Sequence, residues 1–447
     1  SDVDTAGIGR IGIVNGAVNI LDANRASTTA AGTIATADVT GGAAVVVNSG
    51  ALTALNLAST FTTVNAGTLG ALTTAANTTL ALNLTGAVST GAVTIDTDIT
   101  TLNISGNTTT STIASLVASG ATTINVSGDA LVTLTANTTA AVTDIAVTNT
   151  AGAAFGTALA VGVNFAGGAG DDSIVLTGAQ TKAITMGAGN DTVTYAGALS
   201  TTVGSVGSVD AGTGTADTII MTGAQADAAD ASPAFNTAFT GFEVLQLSDT
   251  QTVTLDLDGI NTANKVILAA GTTSGTINNL ISGGTVQIDA DAAGAATLAV
   301  GIDGALSRST DVLNLNLNKS TLLAAGAITA ANVETINIAA ADAATAADAT
   351  TGSAAAINTL TLAATSATSV VVTGNNGLTL GNGGNVAITN FDASGIVAND
   401  TAAIANQAAT TDTAVNLAVT FASTNVTASA AVTIKGGAGN DTLTGAA

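Results

Sequence analysis

Short apolar–polar–apolar triplets recur along the chain at nearly constant spacing, and this recurrence restricts the fold more than any other feature. Leu55-Asn56-Leu57, Leu82-Asn83-Leu84, Leu102-Asn103-Ile104, Ile124-Asn125-Val126 and Ile145-Ala146-Val147 form a first series, whose last four members lie 20, 22 and 21 residues apart. Leu245-Gln246-Leu247, Leu313-Asn314-Leu315, Ile336-Asn337-Ile338 and Leu360-Thr361-Leu362 form a second, with the last three 23 and 24 apart. Alternation of this kind marks a strand with two side chains facing in and one facing out. A repeat of 20 to 24 residues is one turn of a solenoid. Any all-β chain rich in Ala and Thr yields such triplets by chance, but not with this regularity. The expected fold is therefore all-β: an elongated parallel β-solenoid of some twenty turns at ~21 residues per turn, bent near Pro233. Outward Asn and Thr should stack in register as hydrogen-bonded ladders.

Composition supports a repetitive body over a mixed compact core. Of 447 residues, 8% are charged and 2% aromatic, with no Trp and with Tyr195 as the one tyrosine. A solenoid manages with such residues because each turn buries a small interior against the next. The formal net charge is −23, from 30 acids and 7 bases. This balance excludes nucleic acid and anionic lipid as natural partners. All acids but Glu243 and Glu334 are aspartate, a short side chain suited to turns and a hard oxygen ligand for Ca²⁺. An acidic surface that serves only solubility is the competing explanation of the charge. No cysteine is present, so disulfides and thiolate sites are excluded. No run is apolar and long enough for a membrane span; Ala151 to Phe165, the most apolar stretch, reads as two short buried strands.

The sharpest signal is the nonapeptide G-G-x-G-x-D-x-U-x, with U a large apolar residue. Gly167 to Val175 reads GGAGDDSIV, Gly436 to Thr444 reads GGAGNDTLT, and Met186 to Thr194 reads MGAGNDTVT. Asp210 to Ile220, DAGTGTADTII, carries one extra residue before Asp217. Glycines let the backbone curve carbonyls toward one ion, the aspartate adds a carboxylate, and the apolar residue begins a buried strand. Ca²⁺ takes six to eight oxygens, so a stacked neighbouring turn must complete the shell. Asp172 and Asp191 are one turn apart. Asp217 lies 26 residues further on, which implies a lost register and an insertion looping out around Gly197 to Gly207. Asp256-x-Asp258-Gly259 and Asp289-x-Asp291 read as exposed strand-end acids sooner than as further sites, and GNGGNV at Gly381 to Val386 as a plain turn.

These nonapeptides resemble the repeats-in-toxin (RTX) family of secreted calcium-binding proteins. The flanks, including STIASLVASGATTINVSGDALVTL from Ser111, TKAITMGAGNDTVT from Thr181 and SVVVTGNNGLTL from Ser369, resemble surface-layer proteins of the Caulobacter type. The likeness is strongest from about residue 100 onward. The resemblance implies a right-handed solenoid exported by type I secretion to the cell surface, binding several Ca²⁺ and assembling with copies of itself into a two-dimensional lattice. It implies anchoring to outer-membrane lipopolysaccharide through a region not recognised in this chain, which reads as a lattice-forming middle portion. The implied carboxylate ligands are Asp172, Asp191 and Asp441, with Asp217 in doubt because of its insertion. The implied carbonyl ligands are those of Gly167, Ala169, Gly170, Gly187, Gly189, Gly436 and Gly439.

The expected organisation is a first solenoid run over 1–165, a calcium-binding β-roll over 166–222, a corner loop or short helix over 223–240, a second run over 241–430, and a further motif beginning at 431–447. The Ala-rich segment 339–356 should bulge from the second run. Enzyme chemistry is not expected: with no His and no Cys, zinc-protease and catalytic-triad arrangements are absent. A β-helical carbohydrate enzyme lacks the aromatics of a sugar groove. A calcium-stiffened adhesin stalk is the alternative to a lattice protein, although neither long tandem domains nor a ligand-binding tip is visible.

Overall fold

The computed structural model describes residues 3–5, 8–24, 27, 30, 32–67, 77–197, 207–260, 263–319, 321–342, 357–397, 417–427 and 430–446. The chain is 51% strand and 5% helix, a parallel β-solenoid of about 17 turns. It divides into two compact units, residues 1–219 with 237–242 and residues 220–236 with 243–447.

In the first unit, the 13-residue strands Thr36–Asn48 and Ala54–Ala66 stack in parallel, Leu55 on Ala37 and Leu57 on Val39. Each strand turns a corner without breaking. The register shifts between Thr40 and Gly42, where Gly41 and Gly42 have φ of 68° and 113°, a backbone that L side chains avoid. Later turns use short separate strands. One face runs through Thr101–Gly106, Thr123–Gly128, Asp144–Val147, Asn164–Ala166, Ala183–Thr185 and Ser208–Asp210. Its interior column Leu80, Leu102, Ile124, Ile145, Phe165, Ile184 and Val209 is fully or almost fully buried. Strands Ala153–Phe155 and Asn164–Ala166 are the pair expected between Ala151 and Phe165, and their phenylalanines meet edge to face, 6.0 Å apart.

In the second unit, one face stacks Val244–Leu247, Lys265–Leu268, Thr285–Ile288, Val312–Lys319, Thr335–Asp342, Ser369–Gly374, Asn390–Ile396 and Thr433–Lys435. The other stacks Thr254–Asp256, Gly275–Leu280, Thr297–Ile302, Ala324–Ala330, Ile357–Ala363, Gly377–Asn382, Val419–Ala422 and Thr442–Thr444. The triplet Leu360-Thr361-Leu362 belongs to this second face and does not stack on Ile336-Asn337-Ile338. Val370 and Val372 do. Likewise Leu102 and Ile104 stack on Leu80 and Leu82, so the register there is 22 residues and not 20. Turns also vary in length, from Ser173 over Thr192 to Asn390 over Thr433, which is why fewer turns fit than uniform spacing implies.

The expected ladders are present. Asn83 Nδ2 donates to Asn56 Oδ1 at 2.6 Å, Asn56 Nδ2 to Asp38 Oδ1 at 2.6 Å, and Asn125 Nδ2 to Asn103 Oδ1 at 2.8 Å. Arg10 closes one ladder by gripping Asp38 at 2.7 and 2.9 Å. The segment expected as a corner loop or short helix holds two helices, Gly223–Asp230 and Pro233–Ala238. Thr222 starts the first through a reciprocal capping box with Gln225, which satisfies two otherwise unpaired N–H groups. Ala339 to Asp342 continue a strand and do not bulge; residues 343–356 lie outside the described residues. No helix among the described residues is long and apolar enough to cross a membrane.

Candidate metal centre

Three of the four motif turns, those of Asp172, Asp191 and Asp217, sit in the first unit, one above another. Their apolar motif residues enter the core: Ile174 stacks on Val193, and both are fully buried, as Ile219 almost is. This pins the preceding aspartates to one column. Asp172 N–H donates to Asp191 Oδ1 at 2.6 Å, 19 residues on, and Asp191 N–H donates to Asp217 Oδ1 at 2.7 Å, 26 residues on. Ala153 N–H begins the series, donating to Asp172 Oδ1 at 2.7 Å. Asp217 therefore keeps the register, contrary to the expectation that the longer spacing would break it. Thr192 N–H and Thr218 N–H bond the carbonyls of Asp172 and Asp191 at 2.8 and 2.7 Å. Most of the extra length is taken up between Tyr195 and Ser208, where residues 198–206 lie outside the described residues, and one residue of it between Thr213 and Asp217.

The aspartates also close their own turns. Asp172 Oδ2 accepts from Gly168 N–H at 3.2 Å, and Asp217 accepts from Gly214 N–H. All three carboxylates are buried, at 0 or 1% exposure, and Asp191 Oδ2 has no hydrogen-bond partner. Burial pushes the Asp172 carboxyl up to about 6 against the pull of the N–H groups of Ala153 and Gly168. It pushes Asp191 up to about 7, with the charges of Asp172, Asp217 and Asp171 adding to it. Asp217 is raised by burial as well. A carboxylate with an orphaned buried oxygen, held among other carboxylates, favours a bound cation or proton.

The glycines bring carbonyls close to this column. Gly187, Gly189 and Gly212 have φ of 103°, 125° and 94°. A Cβ on Gly187 would strike the carbonyl oxygens of Gly168 and Gly167, on Gly189 that of Gly170, and on Gly167 that of Met186. Inter-turn bonds from Ala188 N–H to Gly168 O at 2.7 Å and from Thr213 N–H to Gly187 O at 2.8 Å fix the stacking. Gly168 was not singled out by the motif reading, yet its N–H and carbonyl both take part. Ala169 is exposed at the turn's tip. Beside the inner column runs an exposed one: Asp171 Oδ1 accepts from Asn190 N–H at 2.7 Å, and Asn190 Oδ1 from Thr215 and Ala216 N–H at 3.2 and 3.1 Å.

The donor set fits a hard cation: carboxylate and carbonyl oxygens only, with one buried oxygen unsatisfied. Among the described residues no three acidic side chains gather into a metal-holding group, so backbone carbonyls would have to supply most of the shell. In the second unit Asp441 repeats the geometry, accepting from Val419 N–H at 2.9 Å and Gly437 N–H at 2.8 Å. Glycines 436 and 439 approach Asp441 and Leu417 too closely for any Cβ. Asp256 and Asp289 are structural: the first accepts from Asp258 N–H and Asn279 Nδ2, the second from Gln287 and Asn318. Asp291 pairs with Lys319 at 2.7 Å.

Two buried acids escaped the sequence reading. Asp22 accepts from Thr33 N–H, Ile34 N–H, Asn24 N–H and Ser49 Oγ at 2.6 to 3.0 Å, which together hold its carboxyl below the usual range despite burial. Asp311 pairs with Arg308 at 3.1 Å. Neither lies in a motif, and a lone Asp carries no signal. No known protein-family model and no curated protein matches the chain.

Proposed function

We propose that this chain is a structural, calcium-binding solenoid of a bacterial surface layer, without catalytic activity, which assembles with copies of itself into a two-dimensional lattice outside the cell. The observation that carries the calcium reading is the carboxylate column of Asp172, Asp191 and Asp217, with Asp191 Oδ2 buried and unsatisfied, on turns whose glycines approach the neighbouring backbone too closely for any Cβ. Asp172, Asp191 and Asp217 would supply carboxylate oxygens, and Gly167, Gly170, Gly187 and Gly189 carbonyls. Bound Ca²⁺ would neutralise charge stacked at turn spacing and stiffen the turns. The lattice, export by type I secretion and attachment to lipopolysaccharide through another region rest on the resemblance of the motifs and flanks to RTX surface-layer proteins. Stacked parallel turns within each unit and a net charge of −23, which Ca²⁺ can screen or bridge, suit that role.

Electron microscopy of the purified chain with Ca²⁺ and with chelator tests the reading. Ordered sheets that dissolve on chelation support it. Isolated rods in Ca²⁺ favour an adhesin stalk, and Ca²⁺-independent behaviour in both imaging and calorimetry overturns the calcium reading.

A further inference from the structure

The second unit builds one strand start on the plan of the aspartate column, but without a nonapeptide. Asp311 stands directly before strand Val312–Lys319, as Asp172 stands before Ser173–Leu176. Asp311 N–H donates to Glu334 Oε2 at 2.9 Å, 23 residues on, as Asp172 N–H donates to Asp191 Oδ1. Thr335 N–H returns to the Asp311 carbonyl at 3.0 Å, as Thr192 N–H returns to that of Asp172. Leu313 stacks on Ile336, and both are fully buried. Asp311 is 1% exposed, and its Oδ2 is buried with no hydrogen-bond partner, the condition found at Asp191 Oδ2. The difference lies in the turn that leads in. Residues 304–310 hold one glycine, where the motif turns at 167–170 and 187–189 hold three and two. In place of glycines this turn brings a base: Arg308 Nε donates to Asp311 Oδ1 at 3.1 Å, and Arg308 Nη2 donates to the Asp303 carbonyl. Gly304, at φ 63°, leaves the room for it, since a Cβ there would come within 3.3 Å of the guanidinium Cζ and Nη2.

We infer that Arg308 is a tethered counter-ion, whose guanidinium takes at the Asp311 turn the part that a bound cation takes in the Asp172 column, so that this turn keeps its register without Ca²⁺. The comparison with calcium rests on the proposed function. The part played by Arg308 is read in chelator, and so stands or falls separately. A guanidinium keeps its charge at any pH a protein survives and is planar, with donors on two sides, which lets it hold a carboxylate and a carbonyl together. Being part of the chain, it is not removed by dilution or chelation. A turn that borrows its cation is switched by the calcium level, and a turn that carries its own is not. Loss of Ca²⁺ should therefore loosen the motif turns of the first unit and leave the Asp311 turn closed.

Hydrogen exchange at Glu334 and Thr335, whose N–H groups bond the Asp311 carbonyl at 3.1 and 3.0 Å, reads this contact. In the parent, exchange there should be the same in Ca²⁺ and in chelator. In Arg308→Gln it should quicken in chelator by about 10- to 100-fold, the loss expected for a buried carboxylate stripped of its charged donor. Excess Ca²⁺ should recover part of that loss. Adding Asp311→Asn should also recover it, in chelator, because the uncovered charge is gone; a loss caused only by missing arginine packing would stay. The parent measurement needs no variant and decides the matter if Arg308→Gln does not fold. Exchange at Glu334 and Thr335 that follows calcium in the parent, an Arg308→Gln protein that exchanges like the parent in chelator, no recovery in Ca²⁺, or none in the double variant would each overturn the inference.

Discussion

Asp191→Asn should change the sign of its effect on stability with the presence of calcium. In the metal-free protein Asp191 titrates near 7 in place of 3.8, chiefly because it is buried. At about 1.36 kcal/mol per unit, keeping it ionised at pH 8 costs at most ~4 kcal/mol. Part of that comes from neighbouring charges, which salt screens, so about 2–3 kcal/mol is expected at physiological ionic strength. Asparagine keeps an acceptor for the Asp172 N–H and removes the charge. In chelator at pH 8 the variant should therefore melt roughly 4–8 °C above the parent. In Ca²⁺ at a hundred times its dissociation constant, the parent gains about 2.7 kcal/mol from binding, and the variant loses most of this. The order of melting temperatures should then narrow to nothing or reverse. Calorimetry in the two buffers reads this, and hydrogen exchange at Thr192 and Thr218, whose N–H groups bridge the turns, localises it. Equal destabilisation in both buffers would refute the reasoning, because it would make the carboxylate an uncharged-equivalent cap with no pull on a cation.

In chelator, the stack from 166 to 219 should weaken as pH rises from about 4 to about 7. The folded carboxyls of Asp172 and Asp191, raised to about 6 and about 7, still hold protons that the unfolded chain has released, and that advantage is lost above their folded values; urea midpoints at pH 4.5 and 8 check it, and Ca²⁺ should flatten the slope. Gly187→Ala, at φ 103° and with its Cβ aimed at the Gly168 carbonyl, should cost at least ~2 kcal/mol with or without Ca²⁺, read by the same midpoints. Asp22→Ala should cost about 3 kcal/mol by stranding the N–H groups of Thr33 and Ile34, and a Ca²⁺-dependent loss there would show that Asp22 also serves an ion.

The alternating triplets made the strands and their inward residues readable, since Leu55, Leu57, Leu102 and Ile104 all enter the core. Alternation says in or out but not which face, so the series that joins Leu360-Thr361-Leu362 to Ile336-Asn337-Ile338 mixes two faces. The spacing of Leu360 from Ile336 mimicked a turn while residues 343–356 intervened. The nonapeptides were readable because glycine, aspartate and an apolar residue at fixed offsets leave one turn geometry, and Asp172 and Asp191 stack as that geometry requires. Length alone speaks against Asp217 in the sequence. Length between strands is cheap to vary in a solenoid, because the next turn re-registers on the ladder already formed. Asp22 had no periodic signature, being set by contacts with Thr33, Ile34 and Ser49 further along the chain, and Asp311 had none either, its partner Arg308 lying outside any repeat.

The two kinds of polar ladder in the first unit explain why residue type, more than position, locates the candidate ion. Stacked asparagines satisfy one another: the Asn125 amide donates to Asn103 and the Asn83 amide to Asn56, and each such pair adds a bond without charge. An aspartate column can only accept. Its Oδ1 atoms find backbone N–H groups one turn below, which fixes the turns but leaves the negative charges together. At a turn spacing of ~4.8 Å, two such charges repel by roughly 3 kcal/mol at an effective dielectric of 20. Asparagine would have given the same fit without that repulsion, and the next column outward does use Asn190. Aspartate at the buried position is intelligible where a cation offsets the charge, and the glycines on the same turns, which keep carbonyls rather than side chains against it, are the second half of the same requirement.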